Sequence, residues 1–177
     1  FSPRANLRFN PTQNINLRLS YSSGFRAPQA FDEDMHIENV GGTVAMIERA
    51  KDLKEEKSQS FSVSADMYHR FGAFQTNLLI EGFYTRLTDV FVLGEPYDRG
   101  DGILVKTRSN GPGAKVMGLT LEGKVVYLSI LQIQAGLTLQ RSRYDEPHKW
   151  HDDVPAKRTI FRTPNVYGYF TATYIPI

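Results

Sequence analysis

The stretch Leu131-Gln132-Ile133-Gln134-Ala135-Gly136-Leu137-Thr138-Leu139-Gln140 decides the fold class of this chain. Apolar residues occupy its odd positions, and polar residues or glycine occupy its even ones. A period of two places successive side chains on opposite faces of a β-strand. The stretch is longer than an ordinary strand of about five or six residues. It approaches the length of about 9–11 residues with which a tilted strand crosses a bilayer.

Three further segments alternate in the same way, and helical periodicity is almost missing. The residues on their apolar faces are Ile15, Leu17, Leu19 and Tyr21; then Phe61, Val63, Ala65 and Met67; then Met117, Leu119, Leu121, Val125 and Tyr127. Polar residues stand between them, as Asn16, Arg18 and Ser20 do in the first segment. The pattern therefore predicts an all-β protein.

The connections between these strands separate two architectures. A soluble β-sandwich and a membrane barrel share the same alternation. In the sandwich a second sheet covers the apolar face, and in the barrel lipid covers it. Short links are predicted at 11–13, 71–73 and 128–130, and long ones at about 26–57, 93–102 and 144–159. Short and long links alternate, as in outer-membrane barrels with tight periplasmic turns and long extracellular loops. The order of the links therefore favours the barrel.

The segment Asn110-Gly111-Pro112-Gly113 leaves the strand count open, because it reads locally as a hairpin turn. A turn there would break the order of links, so we favour one long strand over 103–127 that is bulged or kinked at this point. The predicted strands are then 3–10, 14–24, 58–70, 74–92, 103–127, 131–143 and 161–176. We predict an antiparallel transmembrane β-barrel fragment of about seven strands, completed by sequence outside this chain, because open edges in lipid leave backbone groups unpaired.

Composition agrees with a membrane barrel and excludes other classes. The chain has no cysteine, and its formal charge of +2 comes without a basic run that would indicate nucleic acid. Aromatic residues make up 12% of the chain, which suits strands whose ends lie in a membrane interface. No apolar stretch has the length of a membrane helix, and the start at Phe1 lacks the pattern of a signal peptide.

Four motifs in order carry a family resemblance. They are Phe25-Arg26-Ala27-Pro28, Leu53-Lys54-Glu55-Glu56-Lys57-Ser58, Phe83-Tyr84-Thr85-Arg86-Leu87-Thr88-Asp89-Val90, and Asn110 followed by Gly118-Leu119-Thr120-Leu121-Glu122. Together they resemble the C-terminal β-barrel region of TonB-dependent outer-membrane receptors, with Glu55 in place of a usual proline. The run Ala27–Ile37 is similar, more narrowly, to the cobalamin and ferric-siderophore receptors of Bacteroidetes.

The resemblance implies a bacterial outer-membrane barrel of about 22 strands with a plug in its lumen. It implies a receptor and active transporter, not an enzyme, that imports a ferric siderophore, cobalamin or haem and needs no cofactor. The plug, the signal peptide and the final strands are expected to lie outside this chain, and the TonB complex is expected to act through the plug. The alternatives are a passive outer-membrane porin and a soluble carbohydrate-binding β-sandwich. No catalytic motif, such as His-Glu-x-x-His or a P-loop, stands in the sequence.

Candidate binding residues lie in the predicted long loops, since loops carry function more often than scaffolds do. They are Arg26, Asp32, Asp34, His36, Tyr97, His148, Trp150 and His151. Asp32 and Asp34 are also weak candidates for a calcium site, for which a solvated acidic loop is the simpler explanation. Charged residues on the polar faces of strands are predicted to face the lumen, because a charge in lipid is costly. They are Arg18, Asp66, Glu81, Glu122 and Lys124.

Overall fold

The computed structural model describes residues 1–28, 45–100, 102, 104–148, 155–160 and 163–176. Every regular element in these ranges is a β-strand. No helix in the described part of the chain has the length and apolar character needed to cross a membrane.

Twelve strands follow one another along the chain. They are β1 (Arg4–Thr12), β2 (Ile15–Arg26), β3 (Ala45–Arg49), β4 (Glu56–Phe71), β5 (Phe74–Thr88), β6 (Phe91–Leu93), β7 (Tyr97–Asp98), β8 (Leu104–Asn110), β9 (Ala114–Tyr127), β10 (Leu131–His148), β11 (Lys157–Thr159) and β12 (Val166–Tyr174). A large antiparallel sheet, which we call the wall, has the order β1-β2-β4-β5-β9-β10, with β11 and β12 both paired to β10. The seven long strands of the wall confirm the predicted strand count.

Tight turns join the wall strands at one end, where short links were predicted. Gly72 adopts a φ of 58° between β4 and β5. Leu128 and Ser129 adopt φ values of 49° and 61° between β9 and β10, and the Ile130 amide donates to the Tyr127 carbonyl at 2.9 Å. Two consecutive positive φ values define a type I′ turn, whose twist matches that of the flanking strands.

A second, smaller sheet lies among the long connections, and we call it the mouth sheet. In it β3 pairs with β8 in parallel, and β6 and β7 pair with β8 antiparallel. Val105 of β8 is fully buried. The sequence did not predict this sheet: β3 lies within the long connection predicted at 26–57, and β7 lies within the one predicted at 93–102.

The segment 111–113 interrupts a strand and is not a hairpin. Leu87 pairs with Ala114 on one side of it, and Phe91 pairs with Asn110 on the other, so the register is unchanged across the interruption. The Gly111 amide donates to the Val90 carbonyl at 2.7 Å within the same ladder. The long strand predicted over 103–127 is therefore confirmed in its course. It is interrupted at 111–113 without an inserted residue, and its outer part, β8, belongs to the mouth sheet.

Several predicted bounds were wrong, and the causes are local. The strand predicted at 74–92 divides into β5 and β6, because Asp89 between them has a φ of 55°, outside the strand conformation. The strand predicted at 131–143 continues to His148, and β11 pairs with its end. The end of β10 and all of β11 lie within the connection predicted at 144–159, and the strand predicted at 161–176 is observed as Val166–Tyr174.

The wall exposes its apolar face and covers its polar one. In β9 the odd positions from Met117 to Tyr127 are exposed, and the even positions from Gly118 to Val126 are half-buried. The exposed positions of β10 are likewise its odd ones from Leu131 to Arg143. Side chains on the concave side of a curved sheet shield one another, so the polar face is the concave one. A soluble β-sandwich would bury the apolar faces instead, and the arrangement excludes it.

Aromatic rows border the apolar face at both ends. The row near the long connections contains Tyr21, Phe61 and Tyr84, and the row near the tight turns contains Phe71, Phe74 and Tyr127. Ring centroids are 4.8 Å apart for Tyr21 and Phe61 and 4.9 Å apart for Phe74 and Tyr127. The interval from Phe74 to Tyr84 spans about 33 Å along the strand, or about 25 Å across a membrane at a tilt of about 40°. That height is typical of the apolar band of a transmembrane barrel.

Candidate functional site

Five side chains from five strands lie on the concave, polar face of the sheets, where the wall meets the mouth sheet. We call them the mouth cluster: Arg26, Glu56, Phe91, Arg108 and Tyr144. The register places them there. Arg26 pairs with Glu56, and both continue the row of serines on the polar face of β2 and β4. Tyr144 follows Thr138 and Ser142 on the polar face of β10.

Phe91 connects the two charged residues of β2 and β4. The Phe91 amide donates to Oε2 of Glu56 at 3.0 Å. The guanidinium carbon of Arg26 lies 5.6 Å from the centroid of the Phe91 ring, within the range of a cation–π contact. Glu56 therefore anchors the start of β6, and the Phe91 ring in turn orients Arg26.

The charged groups of the cluster are two guanidinium groups and the Glu56 carboxylate. Burial lowers the pKa of the Arg108 guanidinium, and the positive charge of Arg26 lowers it further. Arginine nevertheless remains protonated at any physiological pH, so two cations stay close together in a partly desolvated place. Tyr144 lies beyond the apolar band, where burial raises the pKa of its phenol and the Glu56 carboxylate adds to the effect. Tyr144 therefore stays a neutral hydrogen-bonding group.

Asn110 holds the junction beneath the cluster together. Its Oδ1 accepts from the Lys54 amide at 2.7 Å, and its Nδ2 donates to the Lys54 carbonyl at 3.0 Å. The same Nδ2 donates to the Asp89 carbonyl at 2.8 Å. One amide side chain thereby ties the segment before β4 to the point where β5 ends. Its position fixes Glu56 and Phe91 relative to each other.

Three of the predicted loop residues belong to the described part of the chain. Arg26 is the last residue of β2 and a member of the mouth cluster. Tyr97 lies on β7 of the mouth sheet, opposite Val105, with 47% of its surface exposed. His148 is the last residue of β10, opposite Lys157. The other predicted loop residues lie outside the described residues: Asp32, Asp34, His36, Trp150 and His151.

The described residues contain no group of acidic and histidine side chains that could hold a metal ion. The suggested calcium ligands Asp32 and Asp34 lie outside those residues, so calcium binding stays a prediction.

The residues predicted to face the lumen all lie on the polar face of the wall. Arg18, Asp66 and Glu81 line one polar recess of about 230 Å³. Asp66 accepts hydrogen bonds from the Tyr68 hydroxyl, at 2.7 Å, and from the Asn77 amide. Glu122 and Lys124 lie farther along on β9. Within the described ranges, these five residues form no salt bridge with one another.

Sequence reasoning missed Glu56, Phe91, Arg108 and Tyr144 as site residues. Their shared face depends on the pairing register of five strands, which no local pattern gives. A signal was present in the alternation of β4, because Glu56 continues the even positions Ser58, Ser60 and Ser62.

A curved antiparallel wall with an exposed apolar band, aromatic borders and a polar concave face is the wall of an outer-membrane β-barrel. The family model described as "TonB dependent receptor-like, beta-barrel" matches residues 1–176. The chain belongs to this family, and it is part of a bacterial outer-membrane protein. Members of the family are transporters and not enzymes, as the resemblance implied.

Solved structures share the fold at low sequence identity. The copper transporter OprC matches 99% of this chain with 14% identity and a TM-score of 0.63, over 24% of its own length. The alcaligin outer-membrane receptor FauA from Bordetella pertussis matches 99% of this chain with 18% identity and a TM-score of 0.58, over 26% of its own length. The FrpB iron transporter from Neisseria meningitidis (F3-3 variant) matches 81% of this chain with 19% identity and a TM-score of 0.57, over 20% of its own length. No curated protein sequence matches the chain.

This chain therefore spans about a fifth to a quarter of the length of these three structures.

Proposed function

We propose that the protein containing this chain imports a scarce nutrient across the outer membrane by active transport driven by TonB. The observation that carries the proposal is the family match over residues 1–176. The wall agrees with it, because its apolar band suits lipid and its concave polar face suits a hydrated lumen. In this function the wall is a rigid frame, and the connections at its mouth capture the nutrient.

The mouth cluster favours a nutrient that carries negative charge. Arg26 and Arg108 supply two guanidinium groups on the polar side, and Phe91 and Tyr144 supply aromatic surface beside them. Guanidinium binds carboxylate and phosphate groups well, and aromatic rings bind flat apolar groups. A ferric siderophore or haem, both organic iron ligands with ionised oxygen groups, fits this chemistry, and cobalamin is the further candidate. Three structural relatives are named as an iron transporter, an alcaligin receptor and a copper transporter.

A plug domain is the proposed partner of the polar face. Arg18, Asp66, Glu81, Glu122 and Lys124 place both signs of charge there without salt bridges among themselves. Charges in a partly desolvated lumen require partners, and a plug seated in the barrel supplies them. We propose that TonB acts on this plug to release the nutrient inward.

Growth of the native host tests the proposal. The gene is deleted, and growth is compared on limiting ferric siderophore, haem and cobalamin, beside a strain that lacks TonB. Loss of growth on one nutrient in both strains supports the proposal and identifies the nutrient. If the deletion slows many small solutes alike and loss of TonB changes nothing, the protein is a passive channel and the proposal is wrong.

Two variants test whether the mouth cluster takes part in binding the nutrient. R108Q removes one guanidinium of the cluster and is expected to weaken nutrient binding to whole cells at least tenfold. K51Q removes a cation from the exposed segment before β4 and is expected to leave binding unchanged. Equal binding by both variants would remove the mouth cluster from the proposal while leaving the transport function intact.

A further inference from the structure

Cations lie on the apolar side of the wall, at its aromatic border and just beyond it. Arg86 pairs with Lys115, and Lys115 pairs with Arg143, in one row across β5, β9 and β10. Arg141 lies one row nearer the band, opposite Met117. We call these four residues the outer cation patch. Alternation along each strand places all four on the apolar face, the face that also carries Tyr84, Met117 and Leu139.

The outer cation patch carries more charge than the described residues around it neutralise. Like charges directly opposite one another on neighbouring strands are destabilising. Among the described residues, the one carboxylate bonded to the patch is that of Asp145. It lies 2.7 Å from Arg86 Nη2 and 3.7 Å from Lys115 Nζ. Within the part of the chain that the structure describes, four cations face one carboxylate, and the excess of positive charge attracts further anions.

An apolar depression lies directly below the patch. It has a volume of about 810 Å³, and Arg141 forms part of its edge. Phe61, Val63 and Leu119 line it around Gly82. Gly82 leaves the space open, because a Cβ there would approach only Val63 Cγ1, at 3.7 Å. The depression and the outer cation patch together offer apolar surface within the band and positive charge at its external rim.

We propose that this surface binds a lipid of the external leaflet whose headgroup carries phosphate. The phosphates contact Arg141, Arg143 and Lys115, and the acyl chains fill the depression around Gly82. Position selects the lipid over a soluble anion, because the cations are on the side of the wall that faces the bilayer. Arg141 lies in the Tyr84 row, and Arg86, Lys115 and Arg143 lie about 7 Å beyond it at about 3.3 Å per residue, which is where lipid headgroups lie. Basic side chains near a membrane surface attract anionic headgroups in the same way.

Lipid retention by the purified full-length receptor tests the proposal. The receptor is extracted in a mild detergent and incubated with lipopolysaccharide at about 150 mM salt, which is near physiological ionic strength. Bound lipid is measured after washing. The double variant R141Q/R143Q is expected to retain at least fivefold less lipopolysaccharide than the native receptor. The variant G82L fills the depression and is expected to reduce retention as well. The matched control R49Q/K51Q removes two exposed cations from β3 and the segment after it, and is expected to retain the native amount.

A change of probe keeps the test independent of how the variants fold. The native receptor is expected to lose most of its retention when the lipopolysaccharide is dephosphorylated. Free inorganic phosphate at equal concentration is expected not to compete. Equal retention of phosphorylated and dephosphorylated lipid, full competition by free phosphate, or native retention by R141Q/R143Q would each overturn the proposal. The measurement uses no transported nutrient, so its failure is distinct from a failure of the proposed transport function.

Discussion

Arg86 and Asp145 are joined by two hydrogen bonds, of 2.7 and 3.3 Å, between β5 and β10, across the intervening strand β9. The fork-to-carboxylate geometry is the strongest that a salt bridge adopts. Both side chains are partly exposed, at 40% and 24%, so solvent weakens the pair. The pair joins β5 to β10 at the external rim, and among the described residues its carboxylate is the one that offsets the outer cation patch.

A double-mutant cycle on Arg86→Ala and Asp145→Ala measures this link. We expect a coupling free energy of about 0.5–1 kcal/mol, at the upper end of the range for exposed pairs because the contact is bidentate. Urea unfolding of the receptor in lipid vesicles provides the free energies. The ion pair of Lys57 and Glu55, which is more exposed and joins residues only two positions apart in sequence, is the control and is expected to show no measurable coupling. Equal coupling in both cycles would contradict the assigned role.

Replacement of Asn110 by alanine is expected to loosen the junction of wall and mouth sheet. The change leaves the Lys54 amide and the carbonyls of Lys54 and Asp89 without their partner. The free energy of local opening is expected to fall by about 2–3 kcal/mol, because these backbone groups lose their hydrogen bonds. Hydrogen exchange at residues 53–55 and 89–93 reports it. Ser109→Ala, at the preceding position, should leave exchange unchanged, and equal protection in both variants would contradict the prediction.

An arginine placed in the middle of the apolar band should distinguish the two faces of the wall. Leu121→Arg is expected to destabilise the folded barrel by about 2–4 kcal/mol, because the charge enters lipid near the midplane. Thr120→Arg places the same side chain on the polar face, next in sequence, and is expected to cost much less. Urea unfolding in vesicles measures both variants. A larger loss for Thr120→Arg would reverse the assignment of the faces.

The turn between β9 and β10 carries two residues in a conformation that suits glycine and asparagine. Leu128 and Ser129 have positive φ values, so Leu128→Asn with Ser129→Gly is expected to stabilise the barrel by about 0.5–1 kcal/mol. Gly72→Ala is the opposite test, because Gly72 has a φ of 58° and a Cβ there would meet nothing within 4 Å. Its expected cost of about 1–2 kcal/mol is then purely conformational. Unfolding midpoints that do not move in these directions would contradict the turn assignment.

The wall could be predicted from sequence because each of its strands carries its own signal. Alternation in Leu131–Gln140 and the order of short and long links gave the strands and the end at which the tight turns lie. The same order of links resolved Asn110–Gly113, where local turn chemistry alone indicated a hairpin. Local composition misled there because glycine and proline interrupt a strand as readily as they reverse it.

The mouth sheet and the mouth cluster could not be predicted, since both depend on pairing between distant segments. β3 and β8 form a parallel pair from segments that have no shared pattern. Arg26 was a candidate from its motif, but its neighbours Phe91 and Arg108 became recognisable only once the register was known. The outer cation patch was missed for a related reason. Arg86, Lys115 and Arg143 are unremarkable as single charges, and they form a row only across three paired strands.

The central claim is that the exposed apolar face of the wall meets lipid and the concave polar face does not. Single cysteines at positions 117–122 of β9 test it, since this chain has no cysteine of its own. Each is placed in the full-length receptor, with any cysteine elsewhere replaced, labelled with a fluorophore and reconstituted with lipids that carry a quencher on their acyl chains. We predict strong quenching at positions 117, 119 and 121 and weak quenching at 118, 120 and 122. Uniform quenching, or quenching at the even positions, would contradict the account.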